Sequence, residues 1–400
     1  MSIGIDDLSF YSSSLFLSLN TLADHNGEAP EKYREGLGQD RMGIPAIDED
    51  VVTLAAEAAK DLVEKARDNI TALLFATETA VDQSKAAGLY VHRLLGLHSN
   101  CRIVELKQAC YSATAALQMA CGLVARNPSS QVLVIASDVA RYGLNSPGEA
   151  TQGCGAVAFV VKKNPRMLEV HPESGCYSEE VMDFWRPNYM DTALVDGKYS
   201  TRIYLRALRN SWKRYSAEPN STAFFDFSRF CYHMPFSKMS EKAHRKLALT
   251  CGAALSDEQL VEQVGAGLFY NRQIGNSYSA SLYIGLLSLL ENDSADLAGH
   301  HIGLFSYGSG CVGEFFSMTV LPDYRQNSRR QAHLHMLEMR QQLDYDSYAD
   351  LFYRSTPDSS GHCEFPCMTR GHFRLAGISG HKRIYCKTAK TFSAQPCGTG

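Results

Sequence analysis

The sequence predicts an α/β protein with a layered core around a largely parallel, buried sheet. Two observations predict this class. Strand-like apolar runs alternate with helix-like segments through the first half of the 400 residues, as in chains built from βαβ units. The second half then repeats part of the same order, so the chain is interpreted as an internal duplication.

The first half supplies its elements in order. Apolar, β-rich runs at 70–77, 102–107, 131–137 and 155–162 predict strands. A helix is predicted at 84–95, and a second one begins at Cys110. The apolar residues of that second helix recur at the three- and four-residue spacing of a buried face: Ala113, Ala116, Leu117, Ala120 and Val124.

The second half repeats this order around Asn276. The segment from Asn276 opens a helix much as the segment from Cys110 does, and a strand follows at 301–305. Each half closes with a glycine-punctuated strand, at 153–161 and at 310–320. Two halves related by a pseudo-twofold axis would bring Cys110 and Asn276 to one central cleft.

This duplication divides the chain into an N-terminal half, residues 1–165, and a C-terminal half, residues 166–400. A polar, aromatic stretch at 172–200 is expected to form loops over the cleft. A charged, helical tail is predicted from about residue 323. From Thr356 onward there is no clear core pattern, and we expect loosely packed structure.

Composition and charge exclude several classes of protein. The formal net charge is −4 and no long basic run appears, so nucleic acid is not an expected partner. The first residues lack a basic region followed by an apolar core, and no apolar stretch approaches the ~20 residues that span a bilayer, so no membrane association is expected. The 12 cysteines are scattered through apolar segments, which favours reduced thiols in a cytoplasmic protein.

Cys110 is the leading candidate for a nucleophile. It stands at or just before the first turn of an interior helix, after a strand-like run. Free backbone N–H groups and the positive dipole at a helix start stabilise a thiolate. We therefore expect a lowered thiol pKa and a nucleophile at neutral pH. Taken alone, the position is equally compatible with an ordinary cysteine that happens to precede a helix.

Glu78 and His233 each stand where a predicted strand ends, which is where α/β folds collect reactive groups. Partial burial would raise the pKa of Glu78 toward neutrality and suit it to proton transfer; a solvated loop glutamate is the alternative. Pro235 forces a turn soon after His233. The alternative interpretation of His233 is a purely structural histidine. Lys238 would start the next helix, placed for a phosphate or for solvent.

Two further motifs are weighed against cofactors and metals. The segment 308–313 (GSGCVG) matches the dinucleotide fingerprint, but a β-like run follows it and no acidic residue lies about 20 positions on. We reject a dinucleotide site and expect these glycines to let the Ser309 N–H approach a thioester oxygen. The cysteines and histidines of the tail do not have the spacing of zinc ligands, so no metal site is predicted. The residues considered are His362, Cys363, Cys367 and His372.

These motifs, in this order, resemble the hydroxymethylglutaryl-CoA synthase family, of the bacterial type, within the thiolase superfamily. The resemblance runs from about Gly4 to the tail. The motifs that carry it are GQDRM at 38–42, TETAVDQSK at 77–85, QACYSAT at 108–114, ASDVARYGLN at 136–145, DFWRP at 183–187, VDGKYS at 195–200, YHMPFSK at 232–238 and FSYGSG at 305–310. One departure is Ser112-Ala113, where family members often carry a glycine beside the nucleophile.

The resemblance implies a thiolase-like fold, with duplicated βαβαβαββ halves in a layered αβαβα core. It also implies the mevalonate-pathway condensation of acetyl-CoA with acetoacetyl-CoA and water, which gives hydroxymethylglutaryl-CoA and free CoA. The two CoA thioesters would be the partners, and no metal ion or redox cofactor would take part. The family is usually dimeric, so a homodimer is expected.

The resemblance also implies roles for individual residues. Cys110 would carry the acetyl group, Glu78 would handle the acetyl methyl proton, and His233 would bind and polarise the acetoacetyl group. The Cys110 and Ser309 N–H groups are the expected donors to the enolate oxygen. Asn276 would hydrogen-bond the second substrate. A further set is expected to contribute to substrate binding or to support the cleft: Tyr142, Lys238, Asp138 and Asp183.

Three alternatives stay open. The acetoacetyl group could arrive on an acyl carrier protein, as in polyketide β-branching, although the 79–85 and 183–187 motifs look more like the mevalonate form. A CoA-binding protein without catalytic activity would have lost the nucleophile or the base, and this chain keeps Cys110, Glu78 and His233. A simple Cys-His-Asn ketoacyl synthase would not need Glu78 in its motif.

Overall fold

The computed structural model describes residues 2–353 and 361–388. Its strands are β1 (Ile3–Tyr11), β2 (Leu15–Ser18), β3 (Arg41–Ile44), β4 (Ile70–Ala76), β5 (Arg102–Leu106), β6 (Gln131–Ala140), β7 (Gly153–Lys163), β8 (Leu168–Ser178), β9 (Phe184–Trp185), β10 (Leu194–Val195), β11 (Phe227–Tyr232), β12 (His301–Gly308), β13 (Val312–Val320), β14 (Gln341–Leu343), β15 (His362–Glu364), β16 (Phe373–Ser379) and β17 (Lys382–Lys387). Its α-helices are α1 (Leu19–Asn26), α2 (Glu31–Arg34), α3 (Val51–Ala66), α4 (Gly88–Leu95), α5 (Ser112–Arg126), α6 (Gly197–Tyr215), α7 (Lys238–Thr250), α8 (Asp257–Val264), α9 (Phe269–Ile274), α10 (Ser281–Asn292), α11 (Arg330–Glu338) and α12 (Tyr345–Tyr353).

One mixed sheet runs through the described part of the chain, with nine strands in the order β11-β12-β13-β8-β1-β7-β6-β4-β5. Strand β4 is parallel to β5 and β6, and β11 is parallel to β12. The strands that close each half, β7 and β13, are antiparallel to their neighbours, and β1 is antiparallel to β8. Antiparallel pairings therefore outnumber parallel ones, and the expectation of a largely parallel sheet is wrong, because each half ends in two strands that are joined without a crossover helix. The two halves meet where β1 pairs with β8, over only two residue pairs. Each half therefore keeps its own run of strands.

Helices lie between and outside these two runs of strands. Alternation along β4 shows the arrangement, because Ala72 and Leu74 share a cluster with α5 and α10, whereas Leu73 and Phe75 pack with α3 and α4. On the other side of the molecule, Phe305 and Phe315 pack with α6 and α7. The order of layers is helix, sheet, paired helices, sheet, helix, which is the αβαβα core that the resemblance implied.

The duplication predicted from the sequence is present in this order of elements. The first half runs β1, α3, β4, α4, β5, α5, β6, β7, and the second runs β8, α6, β11, α10, β12, β13. The second half departs from the expected βαβαβαββ pattern in one place. Helices α7, α8 and α9 stand where the first half has α4 and β5. The local sequence favours helix there, because Ser256 and Gln259 form a capping box that starts α8.

Two expected boundaries differ from the structure. Helix α4 begins at Gly88 instead of residue 84, because the Asp82 carboxylate accepts the backbone N–H groups of Ser84 and Lys85 and holds a turn. The segment 172–200 is not all loop. It starts inside β8 and ends in the first turn of α6, which Asp196 caps, so the connecting residues are 179–196 with the β9–β10 hairpin.

Helices α11 and α12 lie in the segment predicted to be helical from about residue 323, whereas the expectation of loosely packed structure from Thr356 onward is wrong for the described residues 361–388. Strand β14 pairs with β2, and β15–β16–β17 form a three-stranded sheet. That sheet buries Phe365, Phe373, Leu375 and Tyr385 against α3 and α4. Charged residues stand between these apolar positions, so the sequence shows no clear apolar pattern. Hydrogen bonds also attach the sheet, because the buried Glu57 carboxylate accepts the backbone N–H groups of His372 and Phe373. The parts of the tail at 354–360 and 389–400 lie outside the described residues.

No helix in the described ranges is long and apolar enough to cross a membrane. The cysteines of those ranges are free thiols.

Candidate active site

Cys110 lies in a tight turn between β5 and α5. The Ser112 hydroxyl accepts the Gln108 N–H at 2.6 Å and donates to the Ala109 carbonyl at 2.8 Å, which fixes the turn. The face of α5 predicted to be buried is buried, and this anchors the helix that follows. The Tyr111 hydroxyl donates to the buried Glu314 carboxylate at 2.6 Å. The nucleophile candidate thus sits on a turn held from both sides.

Glu78 lies beside Cys110. The thiol donates to the Glu78 carboxylate, with an Sγ–Oε1 distance of 3.1 Å. Burial, and then the nearby charge of Asp138, raise the pKa of Glu78 to about 8, while the thiol and Arg186 act in the opposite direction. The sequence-based expectation of a carboxyl that titrates near neutrality is confirmed in direction.

The expected lowering of the Cys110 pKa is wrong for this arrangement. Burial raises the pKa of the Cys110 thiol, and the charges of Glu78, Asp138 and Asp183 add to the effect. The helix start does not compensate, because the N–H groups of Tyr111 and Ser112 bond back to the carbonyls of 108 and 109. Removal of the thiol proton therefore needs a partner such as Glu78.

Asp138 connects two loops at the bottom of the site. One carboxylate oxygen accepts the Thr77 hydroxyl at 2.8 Å, the Glu78 N–H at 2.9 Å and the Thr79 hydroxyl at 2.6 Å. The other oxygen accepts the N–H and the hydroxyl of Ser279. The carboxylate is fully buried. It therefore ties the strand end that carries Glu78 to the loop that carries Asn276.

Asn276 lies in that loop with its amide orientation fixed. Its Oδ1 accepts the Tyr278 N–H at 2.9 Å, which leaves Nδ2 as the donor group of the side chain. The loop approaches β7 closely at Gly275, whose φ is +79°, and a Cβ there would lie 2.0 Å from the Gln152 carbonyl oxygen. Only glycine fits both conditions. Tyr142 packs beside Cys110 in a small apolar cluster with Tyr278.

His233 is buried at the end of β11. Burial lowers the pKa of His233 to about 3, so the ring is neutral near neutral pH. Its Nδ1 lies 2.8 Å from the Ser281 hydroxyl oxygen. The same oxygen accepts the Met234 N–H. Tyr204 lies between His233 and the nucleophile. The Tyr204 hydroxyl donates to the His233 carbonyl. Burial raises the pKa of Tyr204, and the nearby Cys110 raises it further.

Ser309 lies next to the Cys110 turn. The Gln108 side-chain amide donates to the Ser309 carbonyl at 3.2 Å, and a Cβ on Gly308 would lie 2.4 Å from the Gln108 carbonyl oxygen. Asp183 fixes the far side of the loop, since its carboxylate accepts the Gly310 N–H at 2.9 Å and the Tyr307 hydroxyl at 2.6 Å. The close approach at position 308 requires a glycine there; the role of the Ser309 N–H stays a prediction.

Lys238 is placed apart from this group. It starts α7, as the sequence predicted, and its Nζ pairs with Glu241 at 2.5 Å. It lines a separate depression of about 460 Å³ with Arg34 and Arg272. The other predicted residues surround Cys110, either directly or through shared partners.

Sequence reasoning missed Arg186. Its guanidinium donates to the Glu78 carbonyl and lines a cavity of about 1080 Å³ whose wall includes Glu78 and Gln108. The C-terminal sheet contributes Phe365 and Arg383 to the same cavity. Arg186 belongs to the DFWRP motif, so the motif signalled its place, but only the folded hairpin shows that it reaches Glu78. Among the described residues no group of three or more His, Cys, Asp or Glu side chains is placed to hold a metal ion.

The layered fold and a cysteine paired with a carboxyl at the meeting point of two duplicated halves define an acyl-transferring enzyme of thiolase-like architecture. Models of one family match most of the chain: hydroxymethylglutaryl-coenzyme A synthase N terminal over residues 1–166, and C terminal over 171–259 and 252–350. The chain belongs to the hydroxymethylglutaryl-CoA synthase family.

Individual relatives agree with this assignment. A hydroxymethylglutaryl-CoA synthase of Enterococcus faecalis is 38% identical over 88% of this chain and 92% of its own length. The polyketide biosynthesis 3-hydroxy-3-methylglutaryl-ACP synthase PksG of Bacillus subtilis is 32% identical over 88% of each chain. An HMG-CoA synthase structure complexed with CoA superposes with a TM-score of 0.92 at 41% identity, covering 97% of this chain and 100% of its own. MvaS in complex with 3-hydroxy-3-methylglutaryl coenzyme A gives 0.88 at 34% identity, covering 97% and 99%.

The contact between Arg186 and Glu78 predicts a shift in titration. Because the Arg186 charge lowers the Glu78 pKa from an otherwise higher value, Arg186→Gln should move the titration of Glu78 from about pH 8 to higher pH. Infrared difference spectra of the protonated carboxyl, with Glu78→Gln as the reference, would follow this titration.

Lys107→Gln is the matched control, since Lys107 is an exposed cation on the same cavity wall and should leave the midpoint unchanged. A midpoint that moved to lower pH in Arg186→Gln, or one that moved equally in both variants, would contradict the assigned contact.

Proposed function

We propose that this protein condenses acetyl-CoA with acetoacetyl-CoA and water to give hydroxymethylglutaryl-CoA and free CoA, through an acetyl group on Cys110, in the mevalonate pathway. The observation that carries the proposal is the 3.1 Å contact between the Cys110 thiol and the Glu78 carboxyl in a chain of this family. A nucleophile and a base within hydrogen-bond distance are what acyl transfer followed by carbon–carbon bond formation requires.

The first step is transfer of the acetyl group to Cys110. The thiol proton passes to the Glu78 carboxylate while Sγ attacks the acetyl carbonyl carbon. The tetrahedral intermediate then expels CoA, which leaves with a proton. The raised pKa of Glu78, about 8, makes it a stronger base than an ordinary glutamate, which suits this proton transfer.

The second step forms the carbon–carbon bond. Glu78 takes a proton from the acetyl methyl group, and the electron pair moves through the enolate to attack the ketone carbon of the acetoacetyl thioester. The Cys110 and Ser309 N–H groups are the proposed donors to the enolate oxygen. The tight turn at Cys110 and its contact with the 308–310 loop support this placement.

His233 and Asn276 are proposed to hold the acceptor. The Ser281 hydroxyl accepts the Met234 N–H, so we assign its own proton to His233 Nδ1. The neutral ring then carries its proton on Nε2 and donates it to the acceptor ketone as negative charge forms there. Asn276 Nδ2 would donate to the same substrate, since its Oδ1 is already occupied.

The last step is hydrolysis of the thioester at Cys110 by water, which releases the product and makes the condensation effectively irreversible. The three steps are an acyl transfer, an addition of an enolate to a ketone and a hydrolysis, and each proton moves between substrate, water and side chains of this protein. They require no metal ion and no redox cofactor; the CoA thioesters enter as substrates.

Supporting roles are proposed for the remaining predicted residues. Tyr142 would shape the acyl pocket, and Asp138 and Asp183 would position Glu78 and the 308–310 loop through their hydrogen bonds. Lys238 would attract the phosphates of CoA, because it shares its depression with Arg34 and Arg272. Glu35 and Glu241 also line the depression, so its three cations leave a net positive charge, which suits a polyanionic ligand.

A homodimer is proposed from the exposed edge of the sheet. Strand β5 ends the sheet and offers unpaired backbone groups, which proteins normally cover. Val104 on that strand is 41% exposed, and Leu89 and Met119 on the flanking helices are also exposed.

We also propose that the two halves, 1–165 and 166–400, act as the structural units. A reducing, cytoplasmic setting is supported by the free thiols of the described residues.

The alternative acceptor is an acetoacetyl group on an acyl carrier protein. The CoA-linked relative is more similar to this chain than the carrier-protein enzyme, at 38% against 32% identity, so we favour free acetoacetyl-CoA. Following the absorbance of the acetoacetyl-CoA enolate after adding acetyl-CoA tests this choice. We expect steady loss with wild-type protein and none with Cys110→Ser.

Absence of that loss from a folded wild-type protein would reject the CoA-bound acceptor and favour the carrier-protein one. Turnover by Cys110→Ser would reject the covalent mechanism instead.

Replacing Glu78 separates the two chemical steps. In Glu78→Ala we expect Cys110 acetylation to slow but to remain measurable, because water can take the thiol proton and loss of the carboxylate removes a charge that raises the thiol pKa. Condensation should fall by about 10²–10⁴-fold, the usual contribution of a general base. Mass spectrometry of the acetylated Cys110 peptide measures the first step and product formation the second. Condensation at the wild-type rate in acetylated Glu78→Ala would show that the role given to Glu78 in carbon–carbon bond formation is wrong.

The dimer proposal predicts the effect of a charge on the exposed edge. Val104→Lys should convert a dimer to a monomer in sedimentation velocity, because a buried lysine would disfavour strand pairing across the edge. Val261→Lys, at an exposed apolar residue on α8, is the matched control and should remain dimeric. A monomeric wild type, or a dimeric Val104→Lys, would argue against this interface.

A further inference from the structure

Glu314 is a buried carboxyl on the sheet of the second half. It lies on β13 and is 1% exposed. Phe316, which shares its face of the strand, belongs to the apolar layer that includes Ala113 and Ala116 of α5. An apolar side chain would therefore suit position 314, and a buried carboxyl there costs free energy unless its partners compensate it fully. Such a group indicates a task other than packing.

Two side chains of the first half donate to this carboxyl. The Tyr111 hydroxyl lies 2.6 Å from Oε2, and the Gln118 side-chain amide lies 2.8 Å from Oε1. Tyr111 directly follows the nucleophile, and Gln118 lies about two helical turns further along the same face. One carboxyl of the second half thus holds the first two turns of the helix that begins next to Cys110.

The strand that carries Glu314 also leads away from the Ser309 loop. This loop joins β12 to β13, and its first residues pack against the nucleophile turn, because a Cβ on Gly308 would lie 2.7 Å from the Tyr111 backbone nitrogen. Tyr111 therefore contacts the Gly308 backbone through its own backbone and the Glu314 carboxyl through its hydroxyl. Together these contacts fix where the Cys110 turn lies relative to the Ser309 loop.

We propose that Glu314 is a positioning residue that keeps the Cys110 and Ser309 N–H groups directed at one oxygen. These two groups come from different halves of the chain, so their separation depends on contacts between the halves. The proposal rests on the proposed function, in which both groups donate to the enolate oxygen of the acetyl group. Donors of this kind stabilise developing charge because they are held in place before the reaction. Glu314 acts through Tyr111 and not on the substrate.

The acetyl-enzyme reports this alignment without an acceptor. Full-length protein is acetylated with acetyl-CoA that is isotopically labelled at the carbonyl, and infrared difference spectra give the carbonyl stretch, which hydrogen bonds lower. In heavy water, Glu78 takes a methyl proton and returns a deuteron that it has exchanged with solvent. Mass spectrometry of the Cys110 peptide then measures both acetylation and deuterium uptake.

Glu314→Met removes the acceptor oxygens and keeps the length of the side chain. We expect the carbonyl stretch to rise toward that of a free thioester. Methyl exchange should slow by about 10- to 100-fold, because displacing a donor costs less than deleting one, while acetylation reaches the wild-type extent on longer incubation. Glu314→Gln keeps one acceptor oxygen and should lie between the wild type and Glu314→Met in both readouts.

A double-mutant cycle tests the route through Tyr111. Tyr111→Phe should reproduce the raised stretch and the slow exchange. Adding Glu314→Met to it should change either readout little further, because both variants break the same hydrogen bond. Should Glu314→Met not fold, Tyr111→Phe provides the same test with the carboxyl in place.

Thr114→Val is the matched control. Thr114 also lies on α5, and its hydroxyl pairs with the Tyr283 hydroxyl of the second half at 2.9 Å. Losing this other contact between the halves should lower the melting temperature and leave the carbonyl stretch and the exchange rate unchanged.

A wild-type stretch and exchange rate in Glu314→Met would overturn the proposal. Equal changes in Thr114→Val would also overturn it, because any weakened contact between the halves would then have the same effect. Additive effects of Glu314→Met and Tyr111→Phe would reject the route through Tyr111. Wild-type protein that never acetylates Cys110 would reject the proposed function and this role together, whereas normal wild-type exchange with an unaffected Glu314→Met would reject only the positioning role.

Discussion

The carboxylate of Asp138 accepts hydrogen bonds from both halves of the chain, and the geometry of the site depends on those bonds. One oxygen holds the strand end at Thr77–Thr79 and the other holds Ser279. Because the carboxylate is fully buried, its donors are poorly replaced by water, and each bond is strengthened by the low local dielectric. Glu78 and the Asn276 loop therefore keep a fixed separation.

The same carboxylate also sets the electrostatics around Cys110. Negative charge on Asp138 adds to burial in raising the pKa of Glu78, and both carboxyl groups raise the pKa of the thiol. Both effects favour the protonated thiol over the thiolate in the free protein. The raised pKa also makes ionised Glu78 a stronger base than an ordinary glutamate, and the Arg186 charge acts to lower that pKa. The chemistry is thus assigned to a proton-transfer pair, and a permanently activated cysteine is not needed.

Segments outside the duplicated core complete the cavity. The 179–196 connection brings Phe184 and Arg186 over Glu78, and the C-terminal sheet adds Phe365 and Arg383 to the cavity wall. The family models end at residue 350, so this sheet lies beyond the matched ranges. The sheet is attached to the core through buried carboxylates, such as Asp48 with Arg374, and this attachment places its residues in the cavity wall.

The sequence by itself determined the α/β class, the duplication, the strands that close each half and the buried face of α5. These depend on local periodicity and on glycine placement, which are physical properties of short segments. It also identified Glu78, Cys110 and His233 as candidate site residues, because the ends of strands and the start of a helix can be predicted from local sequence. The motifs added the family, with which the fold and the comparisons agree.

Only the tertiary structure decided the direction of the Cys110 pKa, since burial and three carboxylates from distant segments outweigh the local helix start. It also decided the packing of the tail, where buried ion pairs and backbone bonds stabilise a sheet with no clear sequence pattern. The placement of Arg186 and Ser279 came from contacts between residues more than one hundred positions apart. Such contacts leave no periodic signal, because they depend on how the two halves meet.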